Sequence, residues 1–373
     1  MSAEAPDAVS ADPLRVAILA PVWFPVPPTG YGGIEWIVSL LADGLADAGH
    51  DVTLFASGDS RTNAKLEAAF DEAPTEWIGQ AYWDLRHALH CLIRSGEFDV
   101  VNDHSGMFAL ALGGLVSTPF VHTVHGPLSG EPGQMYDEIM RLHPGARLIS
   151  LSMSQRRPKP DLPWIANCPN ALDFSVYPVQ AHRGEYLLFL GRMTPEKGCH
   201  RAIAIAMELG LPLKMAGKMR EPREHEYFRE LVEPHLGHGI DYLGEVPHGQ
   251  KVELLQHARA TLFPIDWDEP FGLVMIESMA CGTPVIATRR GAVPEVIEDG
   301  VTGIIVDNYR EMATALSEAD ALEPLEIRHR ADQRFAPERM VDDYLDAYRR
   351  LIAGDVPGPA EDLPAEAAGI AEP

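Results

Sequence analysis

The chain predicts an α/β protein built of two parallel-sheet domains, and three features carry that expectation. Its 373 residues exceed what one hydrophobic core comfortably organises and fall short of three full domains. Short apolar runs alternate with Gly/Pro loops and helices of 3.6-residue periodicity, the pattern of a parallel sheet wrapped by helices. That rhythm breaks in an irregular stretch from Asp173 to Gly184 and restarts at Tyr186, so a second domain is expected there.

Residues 1–13 carry Glu4, Asp7 and Asp12 and no basic residue, and read as a disordered leader. Leu14 to Val22 reads as a strand and Glu35 to Ala48 as a helix with Ile37, Val38, Leu41 and Leu45 on its apolar face. Gly49 fits the helix stop, and the next strand runs from Asp51 to Phe55. Strands at Phe98 to Val101, Pro119 to Val124 and Leu148 to Leu151 continue a first domain over 14–175.

The second domain, 184–335, has expected strands at Tyr186 to Leu190, Leu213 to Ala216, Asp241 to Leu243, Ala260 to Phe263, Pro284 to Ala287 and Thr302 to Val306. Cys199 to Leu209, Gln250 to His257 and Leu273 to Ala280 are its expected helices. A further helix over 336–352 is long enough to pack back on the first domain. Residues 353–373, rich in Ala, Pro, Gly and acids, read as a disordered acidic tail.

Composition removes several classes of function. A net charge of −25 opposes contact with a nucleic-acid backbone and gives no attraction to anionic lipid. No apolar run approaches the ~20 residues of a spanning helix, and the leader lacks a basic start and an apolar core, so a cytoplasmic protein is expected. The four cysteines show no CxxC pair, which fits buried small side chains in a reducing compartment.

The chemistry concentrates on loops at the carboxyl ends of strands, where ligands of open α/β sheets bind. After the strand ending near Pro264 the sequence reads DWDEPFGLVMIESMACGTPVIA. Pro270 and Gly272 fit a sharp turn that leaves the amides of Leu273 and Val274 free at a helix start, a natural diphosphate site. Glu269 just before it can accept from sugar hydroxyls, and Glu277 inside the helix can hold a ribose diol. Taken singly, Glu277 could equally be an ordinary helix residue and Glu269 a charge favoured by the helix dipole. A second loop, FLGRMTPEKG, places Arg192 and Lys197 after a strand, where two cations can hold and neutralise a diphosphate leaving group.

Arg192, Lys197 and the series Glu269, Pro270, Phe271, Gly272 and Glu277 resemble the donor-site motifs of family 4 retaining glycosyltransferases of group 1. Seven residues, 270–276, lie between the two glutamates, as the family pattern requires, and the resemblance extends over nearly all of Leu14 to about Leu351. It implies the GT-B fold, two facing Rossmann-like domains with a cleft between them. By that similarity Arg192 and Lys197 would bind the donor diphosphate. Glu269 would contact the donor sugar, Glu277 the ribose, and the loop around Val246 the nucleobase. Phe271, Gly272, Leu273 and Val274 would supply backbone amides.

In the first domain the loop PVPPTGYGGIE places Gly30, Gly32 and Gly33 before a helix. As a dinucleotide fingerprint it is poor, because Glu35 stands at the third glycine position. The family carries a similar Gly-Gly pair that touches the donor diphosphate, which would make Gly32 and Gly33 diphosphate contacts; a turn without a ligand is the alternative. In PFVHTVHGP, His125 falls at the carboxyl edge of a strand and resembles the family's active-site histidine near the transferred sugar. His122 competes with it but should lie inside the strand, and His104, in VNDHSG, could help bind acceptor.

The resemblance therefore implies a retaining hexosyltransferase that uses a nucleoside-diphosphate sugar; UDP-glucose is the first candidate donor and GDP-mannose an alternative, since base and epimer choice depend on loop shape. Front-face attack is the family's usual proposal, with the leaving diphosphate drawing the proton from the acceptor hydroxyl. His125 and Glu269 would be the catalytic pair. Asp266, Trp267 and Asp268 form a DxD string, but Arg192 and Lys197 fill the role of a metal, so neither metal nor cofactor is expected. A glycoside hydrolase is a poorer fit, since the motifs flanking Glu269 and Glu277 address phosphate rather than glycan. A nucleotide-sugar epimerase on the same fold and a non-catalytic nucleotide-sugar-binding protein are the remaining alternatives. Gly58 to Lys159 holds no basic amphipathic cluster, which favours a soluble small molecule or glycan as acceptor.

Overall fold

The computed structural model describes residues 12–30, 32–180 and 182–355. Most of the expected leader and acidic tail lies outside the described residues.

Among the described residues thirteen strands form two wholly parallel sheets. The first contains β1 (Arg15–Leu19), β2 (Asp51–Ala56), β3 (Lys65–Ala68), β4 (Val100–Asp103), β5 (Phe120–Thr123), β6 (Arg147–Ser150) and β7 (Trp164–Asn167). The second contains β8 (Tyr186–Leu190), β9 (Leu213–Ala216), β10 (Ile240–Tyr242), β11 (Ala258–Phe263), β12 (Val285–Thr288) and β13 (Gly303–Val306). Their orders are β3-β2-β1-β4-β5-β6-β7 and β10-β9-β8-β11-β12-β13. The central strands are continuous apolar runs because helices cover both faces of each sheet. Val16, Ala17, Ile18 and Leu19 of β1, for example, are fully buried.

Three details depart from the sequence expectation, each for a local reason. β3, with the sequence KLEA, is a part-exposed edge strand without an apolar run to announce it. β7 is four residues long and directly follows Pro163 at the other edge. β4 extends to Asp103 rather than Val101, because its polar Asn102 and Asp103 are wholly buried and hydrogen-bonded and so do not end the strand.

The helix Pro337–Ala353 returns to the first sheet. Met340, Val341, Tyr344, Leu345, Ala347 and Tyr348 are buried on one face of it, against the helix Gly33–Asp47 and β7. The connection between the two sheets is held by Arg328, which donates to the carbonyls of Phe174 (2.7 Å), Tyr177 (2.5 Å) and Ala280 (2.7 Å) and covers the ring of Phe174. Charge-assisted bonds of this kind contribute about 1.5–3 kcal/mol each. Arg328→Met should therefore lower stability by about 2–4 kcal/mol and shift the calorimetric melting temperature down by several degrees. An unchanged transition would show that the connection needs no such clamp.

Candidate active site

In each sheet the strand order reverses beside the first strand, between β1 and β4 and between β8 and β11. Loops leaving such a pair diverge and open a crevice at the carboxyl edge. The two carboxyl edges meet. Ser152 Oγ donates to the Pro270 carbonyl at 2.7 Å, and the amides of Met153 and Ser154 donate to the Glu295 carboxylate at 2.7 Å each. Trp36 lies 5.4 Å from the His248 ring, and Arg220 covers Phe24 at 5.4 Å. A Cβ built on Gly33 would come within 3.1 Å of Leu273 Cδ1, so the glycine-rich loop of the first sheet abuts the start of the helix Leu273–Ala280 in the second.

Lys197, after β8, donates to Glu269 Oε2 at 2.5 Å and sits 4.5 Å from the Trp267 ring centroid. The Glu269 backbone is fixed by the Ala292 amide, which donates to its carbonyl at 2.9 Å. Gly272 then adopts φ +86°, a turn conformation that suits glycine, and caps the helix without a side-chain hydrogen bond. No capping side chain thus claims the amides of Leu273 and Val274. Phe271 turns its ring into the core, edge-on to Phe335, and can offer a ligand only its backbone.

Glu277, one turn inside the same helix, accepts at Oε1 from Lys251 (2.5 Å) and Tyr177 OH (3.1 Å). Val246 follows β10 and packs half-buried against the same core as Leu273 and Val274. Arg192 is surrounded by carboxylates, with Glu224 at 3.3 Å and Glu196 and Glu221 at 3.8 Å, so a diphosphate there would replace existing partners. Asp266 of the DxD string is engaged by Arg201 at 3.0 Å and Arg290 at 3.4 Å. Among the described residues no group of three or more His, Cys, Asp or Glu is gathered to hold a metal ion.

On the opposite edge His104 follows β4 and His125 follows β5, with His104 Nδ1 2.9 Å from His125 Nε2. Burial holds both imidazoles neutral, His104 well below the usual histidine range and His125 down to about 3. His122 lies within β5, between Asp103 (2.6 Å) and Tyr136 (3.0 Å), and is committed to the sheet. Gly32 and Gly33 open the helix Gly33–Asp47, where burial pushes the Glu35 carboxyl up to about 7 while Lys218 opposes the rise.

Lys218, Lys251 and Tyr177 also belong to the site and stand outside the motifs of the sequence. Lys218 follows β9 at the same edge, and burial, followed by the charge of Arg220, lowers its ammonium to about 8. Its position directly after the AG that ends an apolar strand was a usable signal. Lys251 and Tyr177 had none, since they reach Glu277 only through the fold.

Two family profiles match adjoining parts of the chain: Glycosyltransferase Family 4 over residues 31–168 and Glycosyl transferases group 1 over residues 178–336. The chain is a glycosyltransferase of group 1. The glycogen synthase of Mycobacterium tuberculosis is 28% identical over 333 residues, covering 74% of this chain and 79% of its own. AviGT4, a glycosyltransferase involved in avilamycin A biosynthesis, superposes with a TM-score of 0.66 at 29% identity over 92% of this chain and 99% of its own. HepE of Anabaena, solved with UDP and glucose, superposes with a TM-score of 0.70 at 19% identity, over 89% of this chain and 98% of its own, which bears on the fold alone. The architecture of this glycosyltransferase is GT-B, and no described helix is long and apolar enough to cross a membrane.

Proposed function

We propose that this glycosyltransferase moves a hexose from a nucleoside-diphosphate sugar, UDP-glucose first among the donors, to an acceptor hydroxyl with retention and without a metal. The observation that carries the reading is the convergence at one point of Gly33, the uncapped helix start at Leu273, and the Lys197–Glu269 pair. Amides at a helix start and a fixed ammonium are suited to a pyrophosphate, whose charge grows as the glycosidic bond breaks. Lys197 then stabilises the leaving diphosphate, and Glu269, held beside it, orients the sugar hydroxyls. Glu277 takes the ribose diol, with Lys251 and Tyr177 keeping its carboxylate in place. The diphosphate draws the proton from the acceptor hydroxyl on the face it leaves, which gives retention without a carboxylate nucleophile. A soluble small molecule or glycan in the cytoplasm is the proposed acceptor class.

Two substitutions separate these roles by titration calorimetry. Glu269→Ala should weaken binding of the nucleotide sugar more than binding of the bare nucleoside diphosphate. Glu277→Ala should weaken both by a similar factor, about tenfold or more for loss of a bidentate diol contact. A Glu269→Ala variant that weakens the nucleotide sugar and the bare nucleoside diphosphate by the same factor would overturn the division.

A further inference from the structure

The hydrogen bonds behind His125 determine where its proton sits. The Val121 carbonyl can only accept, so the Asn102 group 3.4 Å from it is the amide nitrogen, which also donates to Thr123 Oγ1 at 3.2 Å. Asn102 Oδ1 therefore faces the other way, accepting from Tyr348 OH at 2.7 Å and standing 2.8 Å from His104 Nε2. An amide oxygen carries no proton, so His104 Nε2 must. A neutral His104 then has only a lone pair on Nδ1, and the 2.9 Å contact to His125 Nε2 requires that His125 donate. Asn102 and Tyr348 are wholly buried and His104 is 2% exposed, so water does not compete along the chain.

We propose that Tyr348 and Asn102, acting through His104, are positioning residues that fix His125 in the Nε2–H tautomer and leave Nδ1 as its hydrogen-bond acceptor. Among the described residues nothing hydrogen-bonds to that Nδ1. The proposal rests on the resemblance that sets His125, like the family's active-site histidine, beside the transferred sugar. In that place it accepts a hydrogen bond from a sugar hydroxyl and does not protonate the leaving group. Its orientation is thereby tied to the C-terminal helix Pro337–Ala353, since Tyr348 lies 246 residues from Asn102 in sequence. The ionisable groups around His104 are Asp103 on β4, His122 on β5, Tyr344 and Tyr348 on that helix, and His125 itself. Burial and the neighbouring histidines all favour its neutral form.

Nitrogen-15 NMR of the full chain labelled at histidine, without donor, reads both tautomers. His104 and His125 should each carry the proton on Nε2. Asn102→Asp puts a carboxylate on His104 and raises its pKa. Below that pKa His104 donates from Nδ1 and forces the proton of His125 onto Nδ1. Transfer by this variant should therefore rise with pH as His104 loses its charge, while the parent enzyme stays flat over the same interval. Tyr348→Phe keeps the ring and removes one hydrogen bond, and should lower kcat about fivefold with the donor KM unchanged. A parent His125 protonated at Nδ1, or an Asn102→Asp enzyme with parental tautomers and a flat pH profile, overturns the proposal. The NMR needs no ligand, so failure of every nucleotide sugar to bind would instead overturn the donor reading.

Discussion

Replacing Lys197 with methionine is expected to lower kcat by about 10²–10³-fold, the usual effect of removing one preorganised group that stabilises a developing anion. Methionine keeps the length of the aliphatic stem and removes the ammonium together with its contact to the Trp267 ring, so the change takes away the charge. Two effects add. The leaving diphosphate loses its ammonium, and Glu269, whose side chain is 11% exposed, loses the cation 2.5 Å away. A part-buried carboxylate without that cation turns toward water, which moves the group proposed to orient the sugar. Because the interaction strengthens as charge develops on the diphosphate, kcat should fall more than the donor KM rises. Parental kcat in Lys197→Met would remove Lys197 from the chemistry.

Gly291→Ala should be similarly damaging by a different route. Gly291 has φ +52°, a conformation costing about 1–2 kcal/mol for a residue with a Cβ. Its new methyl would stand 2.3 Å from the Glu269 nitrogen and 2.4 Å from the Glu269 oxygen, both backbone atoms that cannot swing aside. The loop carrying Glu269 must shift, and misplacement by about 1 Å can cost about 10²-fold in rate. Strain and overpacking together should remove about 2–4 kcal/mol of stability. Gly249→Ala is the control, since that glycine lies in the helix His248–Gln256 with open space around its Cβ. It should leave kcat/KM unchanged and raise stability by up to about 1 kcal/mol. Steady-state kinetics and chemical denaturation of the pair check both effects, and equal behaviour of the two variants would contradict the loop's role.

The sequence revealed the fold wherever strands are apolar on both faces. β1 and β8 are such runs, and their burial between helices is what made them readable. β3 and β7 escaped because edge strands are short and only partly covered, and the end of β4 escaped because buried Asn102 and Asp103 look like loop residues. The same division holds at the site. Lys197 and Glu269 lie in compact motifs on neighbouring loops, so their side of the cleft could be read from spacing. Their direct contact could not, because it joins residues 72 apart. Tyr177 and Lys251 meet Glu277 across 100 and 26 residues, and Tyr348 meets Asn102 across 246. Such contacts leave no periodicity or turn signal. The DxD string shows the converse, a local pattern whose first aspartate is bound by Arg201 and Arg290 from elsewhere in the fold.

The most direct test of the donor site is a thermal-shift panel of UDP, GDP, ADP and dTDP with their hexose conjugates. At a hundredfold excess over Kd, a ligand that binds only the folded protein adds about 2.7 kcal/mol of stability. One nucleoside diphosphate and its sugar should raise the melting temperature by several degrees, and the rise should shrink in Glu277→Ala. If no member of the panel shifts the transition, the cleft at Glu269 to Glu277 does not bind a nucleotide sugar.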